Sequence, residues 1–284
     1  MSKADQLTVY EPDQRVRMGA FSCWRTMIGN VVRSRELIWQ LFKRDFLAGS
    51  KQSMFGLLWV LFSPLVGIVS WVLMNYAGIL QPGDTEVPYP LYVLFGSTIW
   101  SMFMGSYSAA AASLTSGGSL ILQAKFSHEA LVAQQMAQTA IAVVANLILL
   151  ALVSAVFGAL PRWAAMFFPL SLVPLIMLGT GVGMFVSVLA VVVRDVTKIV
   201  GTVLGFLMFL TPVIYAPSVQ NEWLQRLIWW NPLTYLVSGA RDLALHGRID
   251  HLSGYAGSVV LSMAIFLLSW RLFFLSEQKV AEKF

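Results

Sequence analysis

The sequence predicts an all-α membrane protein with six transmembrane helices, an N-terminal amphipathic interface helix and short re-entrant helices before the last span. Of its 284 residues, 57% are hydrophobic and 12% are charged, whereas about a quarter of the residues in a soluble domain are charged. Long runs contain no Asp, Glu, Lys or Arg, which is typical of segments that cross hydrocarbon, where a charged side chain is costly. The predicted spans are residues 54–80, 91–112, 131–157, 167–193, 199–215 and 254–274.

The distribution of basic residues predicts that both termini face the cytoplasm. With the first 53 residues inside, the six spans alternate so that 15 of the 19 Lys and Arg residues lie on the cytoplasmic side. This asymmetry follows the positive-inside rule. The net charge of +5 is therefore interpreted as a signal of membrane orientation, and nucleic acid is not an expected partner. The four basic residues left outside are Arg162, Arg226, Arg241 and Arg248.

The N-terminal part divides into a cytoplasmic arm, residues 1–33, and an amphipathic helix, residues 34–50. In the second segment apolar side chains recur at helical spacing and charged ones share the other side, as in helices that lie in the membrane interface. Attraction to anionic membrane lipids explains its basic side chains, and contact with a lipid pyrophosphate is the sharper hypothesis. This interpretation concerns Lys43, Arg44 and the adjacent Lys51, and the candidate residues of the interface helix are Arg35, Lys43 and Arg44. The transmembrane domain is predicted to occupy residues 51–284.

Two short connections are predicted on the cytoplasmic side. After span 2, Gly117 and Gly118 disfavour a continuous helix and the charged residues that follow require water, so residues 120–128 are expected to form a short cytoplasmic helix. Spans 4 and 5 are joined by a tight turn that contains Arg194 and Asp195. A solvated turn is the ordinary interpretation of such a charged pair.

Residues 216–254 are predicted to form two short helices that enter the outer leaflet and return. The first apolar cluster of this segment is too short to cross a membrane. Asn231 and Pro232 then supply an N-cap and a first-turn proline for the second helix, and Gly247 lies where a C-terminal cap is expected. Trp230, Asn231 and Pro232 are accordingly candidate residues of a gate at the outer end.

Several chemical features are missing from the sequence. No ionisable residue lies in the middle of a predicted span, where a proton- or ion-coupled transporter usually keeps one. No GxxxxGK[ST] phosphate loop occurs, so active transport would need energy from a partner protein. The three histidines, His128, His246 and His251, are divided between the two sides of the predicted membrane and lack the spacing of metal ligands, and we expect no metal site.

Four sequence pieces resemble, in order and spacing, the membrane subunit of bacterial ABC-2 type exporters for O-antigen, capsular and teichoic-acid type glycans. They are LIWQLFKRDFLAGSKQSMFGLLWVLFSPL, the RDV after span 4, the TPVIY that ends span 5, and WWNPLTYLV before the last span. The resemblance implies a multi-pass protein of the bacterial inner (plasma) membrane that transports lipid-linked polysaccharide. It also implies a second copy of the chain and two separate ATP-binding subunits, which use ATP and Mg. No cofactor and no enzymatic activity are expected of this chain itself.

The resemblance further implies which cytoplasmic residues couple to the ATPase. The sequence departs from the family at LILQAKFSH, where relatives tend to carry a pair of basic residues, and at Gly49-Ser50, where a basic or aromatic residue is common. The candidate coupling residues are Leu120, Lys125, Phe126, His128, Arg194 and Asp195.

Aromatic side chains are the candidates for a glycan path. Trp71 and Trp100 fall near the middle of their spans, whereas most tryptophans of membrane proteins lie at the interfaces. The apolar face of a sugar ring can stack on an indole while its hydroxyls stay hydrated. Ordinary helix packing remains the alternative for each of them. Further candidates for the same lining are Trp59, Phe62, Tyr107, Phe206, Phe209 and Tyr215.

Two other functions remain open at this stage. An ABC-2 exporter of a drug or a small lipid would share the fold. A membrane-embedded enzyme of glycan assembly would need charged groups near the outer face, and such groups are present at Arg226, Arg241, Asp242 and His246. Gly201 and Gly205 form a GxxxG motif in span 5, which is compatible with packing inside one subunit or across a dimer axis.

Overall fold

A computed structural model describes residues 20–51, 58–116, 128–159, 163–218 and 221–281. All regular secondary structure in these ranges is helical, as predicted. The helices are α1 Ala20–Arg33, α2 Arg35–Lys51, α3 Leu58–Tyr76, α4 Tyr89–Ser116, α5 His128–Val156, α6 Phe168–Ser171, α7 Val173–Ala190, α8 Asp195–Leu207, α9 Glu222–Trp230, α10 Pro232–His246 and α11 Leu252–Ala281. Two 3₁₀ turns, Trp163–Phe167 and Met208–Leu210, precede α6 and follow α8.

Three stretches of the described residues are long and apolar enough to cross a membrane. They are Glu129–Val156, Trp163–Ala190 and Leu252–Ser276, and they coincide with predicted spans 3, 4 and 6. A shorter apolar helix, Leu61–Tyr76, lies within predicted span 1, and α4 covers predicted span 2. The number of six spans and the orientation of the termini stay predictions.

Helix α4 lies at the centre of the fold and packs against α7, α5, α3 and α10. Its closest neighbour is α7, where Gly179 and Gly183 bring the two backbones together: a Cβ at either glycine would overlap the carbonyl oxygens of Phe103 or Tyr107. Small residues that let helix backbones approach are a common device of membrane proteins. The buried core therefore forms around α4.

The structure refines several sequence-based boundaries, and the helix of predicted span 1 ends at Tyr76 instead of residue 80. Residues 20–33, predicted as part of an arm, form α1, whose Cys23 and Met27 are buried against Phe274 of α11. The helix of predicted span 5 ends at Leu210 and not at residue 215. Its end has a local cause, because Thr211 precedes Pro212 and is extended, and proline disfavours the α conformation in the residue before it.

The short helices α9 and α10 begin and end at the residues that the sequence indicates. Asn231 lies between them, and its side-chain oxygen accepts the backbone N–H of Leu233 at 3.0 Å, which caps α10. Pro232 occupies the first turn. Gly247 ends α10 with φ of 72°, a left-handed conformation that favours glycine.

Candidate functional site

A cavity of about 410 Å³ opens between α3, α4, α5 and the 3₁₀ turn after α8. It contains both tryptophans that the sequence singles out, Trp71 from α3 and Trp100 from α4. Most of the remaining wall is made of small or polar side chains, with Pro64 and Met208 as its other apolar members, so the indoles are its largest side chains. The full lining is Ser63, Pro64, Gly67, Trp71, Ser97, Trp100, Ser101, Asn146 and Met208.

The two indoles are held by neighbouring aromatic rings. Trp71 is partly buried and meets the ring of Phe209 edge-on, with centroids 6.5 Å apart. Trp100 is only 5% exposed and packs on Phe103 with centroids 5.3 Å apart. Such pairs restrict the orientation of a ring beyond simple burial. Trp71 is therefore the more accessible of the two, and Trp100 also supports the core.

The polar groups of the cavity differ in how well their hydrogen bonds are satisfied. The hydroxyls of Ser97 and Ser101 donate to carbonyls of their own helix, at 2.7 Å to Val93 and 2.8 Å to Thr98. Asn146 is buried, and its Oδ1 has no hydrogen-bond partner among the described residues. An amide oxygen buried in this way favours a ligand that brings a donor, such as a hydroxyl group.

The other aromatic candidates lie away from the cavity wall. Tyr107 is buried in the core, where its hydroxyl donates to the carbonyl of Thr197 at 3.1 Å. The hydroxyl of Tyr215 donates to the carbonyl of Phe209 at 2.9 Å, so this ring braces the chain after α8. Among the aromatic candidates, the structure brings only Trp71 and Trp100 to the cavity wall itself.

Trp59, Phe62 and Phe206 belong instead to exposed apolar stripes. On α3 six side chains, each more than half exposed, recur at alternating spacings of three and four residues: Trp59, Phe62, Val66, Val69, Leu73 and Tyr76. A shorter stripe on α8 consists of Ile199, Val203 and Phe206. This period keeps the side chains on one side of a helix. On the same helix, a Cβ at Gly205 would meet no atom within 4 Å.

The candidate gate residues are tied to the segment that follows α8. The side-chain nitrogen of Asn231 donates to Thr211 Oγ1 at 2.9 Å, and that of Arg241 donates to the carbonyl of Pro212 at 2.9 Å. Pro232 lies in the first turn of α10, whereas Trp230 is 86% exposed. Two short motifs that the sequence singles out, TPVIY and WWNPLTY, therefore meet in space.

Helix α4 holds the same segment from the other side. The hydroxyls of Tyr89 and Tyr92 donate to the carbonyls of Ile214, at 3.0 Å, and Tyr215, at 2.9 Å. Close approach is possible because residue 96 is glycine: a Cβ there would overlap the carbonyl of Val213. We call residues 211–216 the hinge segment, since it connects α8, α4 and α10.

The candidate interface residues Arg35, Lys43 and Arg44 lie exposed on α2. Arg44 pairs with Asp45 at 2.7 Å, and Asp45 also accepts the side-chain amide of Gln134 from α5 at 2.9 Å. This contact joins the interface helix to the first turns of α5.

The candidate coupling residues are described only in part. Leu120, Lys125 and Phe126 lie outside the described residues, and His128 is the first residue of α5. Arg194 and Asp195 are exposed where α8 begins.

The charged residues proposed for an assembly enzyme separate into two places. Arg226 is exposed on α9 beside Glu222, with 3.7 Å between their charged atoms. Arg241, Asp242 and His246 lie together on α10 and line a smaller pocket. Arg241 is only 2% exposed and covers the ring of Tyr92 at 3.8 Å. Its burial and its hydrogen bond to the carbonyl of Pro212 indicate that Arg241 holds the chain after α8 in place.

An all-helical fold with several helices long and apolar enough to cross a membrane is that of a multi-pass membrane protein. The chain belongs to the ABC-2 type transporter family, whose family model matches residues 36–245. It is therefore a transport permease and a multi-pass protein of the inner membrane.

Two relatives carry a more specific name. The chain is 21% identical over 259 residues to the O-antigen export system permease protein RfbA of Myxococcus xanthus, covering 90% of this chain and 98% of that protein. It is 21% identical over 218 residues to the protein of the same name from Klebsiella pneumoniae, covering 76% of this chain and 83% of that protein.

Asn146 and the serines of the cavity were missed by the sequence analysis. The signal that could have found Asn146 is its position inside the charge-free run of span 3, where an amide has few partners. The hinge contacts of Tyr89 and Tyr92 give no local signal, because their acceptors lie more than 120 residues away.

Proposed function

We propose that this chain is the membrane permease of an ABC exporter that moves a lipid-linked polysaccharide across the inner membrane. Hydrolysis of ATP with Mg in two separate subunits drives the movement, and this chain itself holds no cofactor. All six predicted spans cross the membrane, with both termini in the cytoplasm. A drug or small-lipid exporter of the same family is the competing function.

The observation that carries the proposal is the cavity beside Trp71 and Trp100. A sugar ring offers an apolar face to an indole and hydroxyl donors to an acceptor such as Asn146 Oδ1, which is buried without a partner among the described residues. A cavity for a purely apolar drug gains nothing from such an amide. The O-antigen export names of both relatives support the same cargo class.

A conduit for a polymer requires more surface than one copy provides, and we propose a homodimer. The stripes on α3 and α8 supply apolar surface that is exposed in the single chain. Their spacing of three and four residues resembles the seam of a coiled coil, and Gly205 allows a second backbone to come close. The stripe aromatics Trp59, Phe62 and Phe206 would then lie beside the path between the two copies.

The cytoplasmic side is proposed to transmit the movement of the ATPase. Residues 120–128, for which the sequence predicts a short helix, and the turn at Arg194 and Asp195 would contact the ATP-binding subunits. The amphipathic helix α2 would lie on the membrane, with Lys43 and Arg44 near anionic headgroups or a lipid pyrophosphate. The link from Asp45 to Gln134 provides a direct mechanical connection between α2 and α5.

Export of surface polysaccharide in cells that carry Trp71→Ala tests the path. We expect slower export at normal membrane level, because Trp71 is only partly buried and its loss removes a stacking surface. Trp163→Ala is the matched control, since this residue is 82% exposed and lies away from the cavity. The amount of polysaccharide at the cell surface is compared with the amount retained inside.

Two results would contradict the proposal. Unchanged export by Trp71→Ala would remove this indole from the path. Loss of drug resistance on deletion of the gene, with intact surface polysaccharide, would favour the competing function.

A further inference from the structure

A second pocket, of about 120 Å³, lies between the external loop after α3, the first turn of α4 and the last turns of α10. We call it the acidic pocket, because four carboxylates line it against the guanidinium of Arg241. They are Asp84, Glu86, Asp242 and Asp250. The family assignment and the proposed glycan path leave this pocket without a role.

The existing ion pairs leave negative charge in the acidic pocket. Glu86 lies 3.3 Å from His246, and Asp250 lies 2.8 Å from Arg248. The side-chain carboxylate of Asp242 has no hydrogen bond or ion pair with any residue in the described ranges, and its backbone carbonyl accepts the N–H of Gly247. Arg241 is its neighbour in sequence, but that guanidinium is directed to the hinge segment.

Ser238 supplies an independent sign of a ligand. It lies one turn before Asp242 on the same helix, is only 5% exposed and forms part of the pocket wall. Its hydroxyl oxygen makes no hydrogen bond within the described part of the chain. A serine in a helix usually satisfies its hydroxyl on a carbonyl of the preceding turn, and a buried unsatisfied hydroxyl is costly. A polar ligand in the pocket would remove this cost.

The chemistry of the wall selects among ligands. Sugar stacking is disfavoured because Trp229 already contacts the His251 ring at 4.3 Å and Arg241 covers the Tyr92 ring at 3.8 Å. A bare metal ion is disfavoured because no three His, Cys, Asp or Glu residues of the described ranges lie close enough to hold one. A protonated amine fits, since its N–H donors can reach acceptors that are spread apart.

We propose that the acidic pocket binds a small organic cation through a primary ammonium group, with Asp242 and Glu86 as charged acceptors and Ser238 Oγ as a neutral one. The volume admits a short alkyl chain, being about four times the ~30 Å³ that a water molecule occupies in the liquid. A cation held there joins the external loop to α10, which packs against the hinge segment. Binding therefore stabilises the contact between the external loop and α10.

Calorimetric titration of the purified full-length protein with putrescine tests the proposal, with 1,4-butanediol as the uncharged analogue of equal length. We expect saturable binding of putrescine at pH 7.5 and none of butanediol. Asp242→Asn should weaken binding at least tenfold, and Ser238→Ala should weaken it about threefold. Glu222→Gln is the matched control, because it removes an external carboxylate that is 87% exposed and lies outside the pocket.

Glu86→Gln tests the same pocket even if the variants of the more buried residues Asp242 and Ser238 fail to fold, because the side chain of Glu86 is 68% exposed. It should weaken putrescine binding severalfold. The proposal is overturned if butanediol binds as tightly as putrescine, if putrescine binding does not saturate, or if Asp242→Asn and Glu86→Gln both bind as the unmodified chain does. Saturable binding of Mg²⁺ or glucose without binding of putrescine would equally overturn it and identify a different ligand.

Discussion

At the scale of single residues, the carboxyl group of Asp242 has an acidity that its surroundings change strongly. Burial raises the pKa of the Asp242 carboxyl from 3.8 to about 6. Among its charged neighbours, Arg241 and His246 oppose this rise, whereas Asp250 and Glu86 add to it. The unfolded chain releases this proton at a lower pH than the folded chain does. Ionisation of Asp242 therefore costs the folded state free energy, a cost present above pH 6 and relieved as the pH falls toward 4.

Asp242→Asn should therefore stabilise the ligand-free protein at pH 7.5 by about 1–2 kcal/mol, less than the full shift implies because the group keeps some contact with solvent. The gain should vanish at pH 4, where both proteins are uncharged at this position. Thermal unfolding at the two pH values measures the difference, with Glu222→Gln as a control that changes neither midpoint. Equal unfolding midpoints of Asp242→Asn and the unmodified protein at pH 7.5 would contradict a raised pKa of Asp242 in the folded state.

At the scale of elements, the hinge segment depends on a close contact between backbones. A Cβ on residue 96 of α4 would overlap the carbonyl oxygen of Val213, and backbone atoms do not move aside as a flexible side chain does. Gly96→Ala should destabilise the protein by about 1–3 kcal/mol through this overlap. Displacement of the hinge segment should also disturb the bond from Asn231 to Thr211 and hence the position of α10.

Gly257→Ala is the matched control for Gly96→Ala. Residue 257 also lies in a long apolar helix, α11, but a Cβ there meets no atom within 4 Å. Alanine has the higher helix propensity, so this change should be neutral or stabilising by up to about 1 kcal/mol. Thermal unfolding in detergent compares the two variants, and an equal effect of both would exclude the close contact as the cause.

Both ends of α10 could be predicted from sequence, and the contacts of the hinge segment could not. Asn231 and Gly247 bound α10 as expected, because an N-cap and a left-handed glycine act within one turn. Pro212 is a local signal for the end of α8 that the predicted span 5 did not use, whereas the contacts of the hinge segment with α4 and α10 join residues far apart in the sequence. Trp71 and Trp100 could be singled out, but their common cavity depends on the rotation of two helices about their axes.

At the scale of the whole molecule, the exposed stripes on α3 and α8 raise the question of what covers them. Lipid and a second copy of the chain are both apolar enough. The two differ in one measurable way, because a twofold interface brings equivalent residues near its axis close to one another, whereas lipid keeps them apart. A disulfide forms only when the two Cα atoms come within about 7 Å.

Single cysteines at Gly205, Val203 and Phe206 should therefore yield a covalent dimer, from at least one of the three positions, on mild oxidation of membranes. The experiment uses a Cys23→Ala background, because Cys23 is the only cysteine of the chain. Val260→Cys is the control: this side chain is 69% exposed on α11 and belongs to neither stripe, so the variant should remain monomeric. Electrophoresis without reducing agent measures the outcome. Cross-linking at Val260 alone would show that the two copies meet at α11. The aromatic residues of the two stripes would then not lie beside a path between the copies.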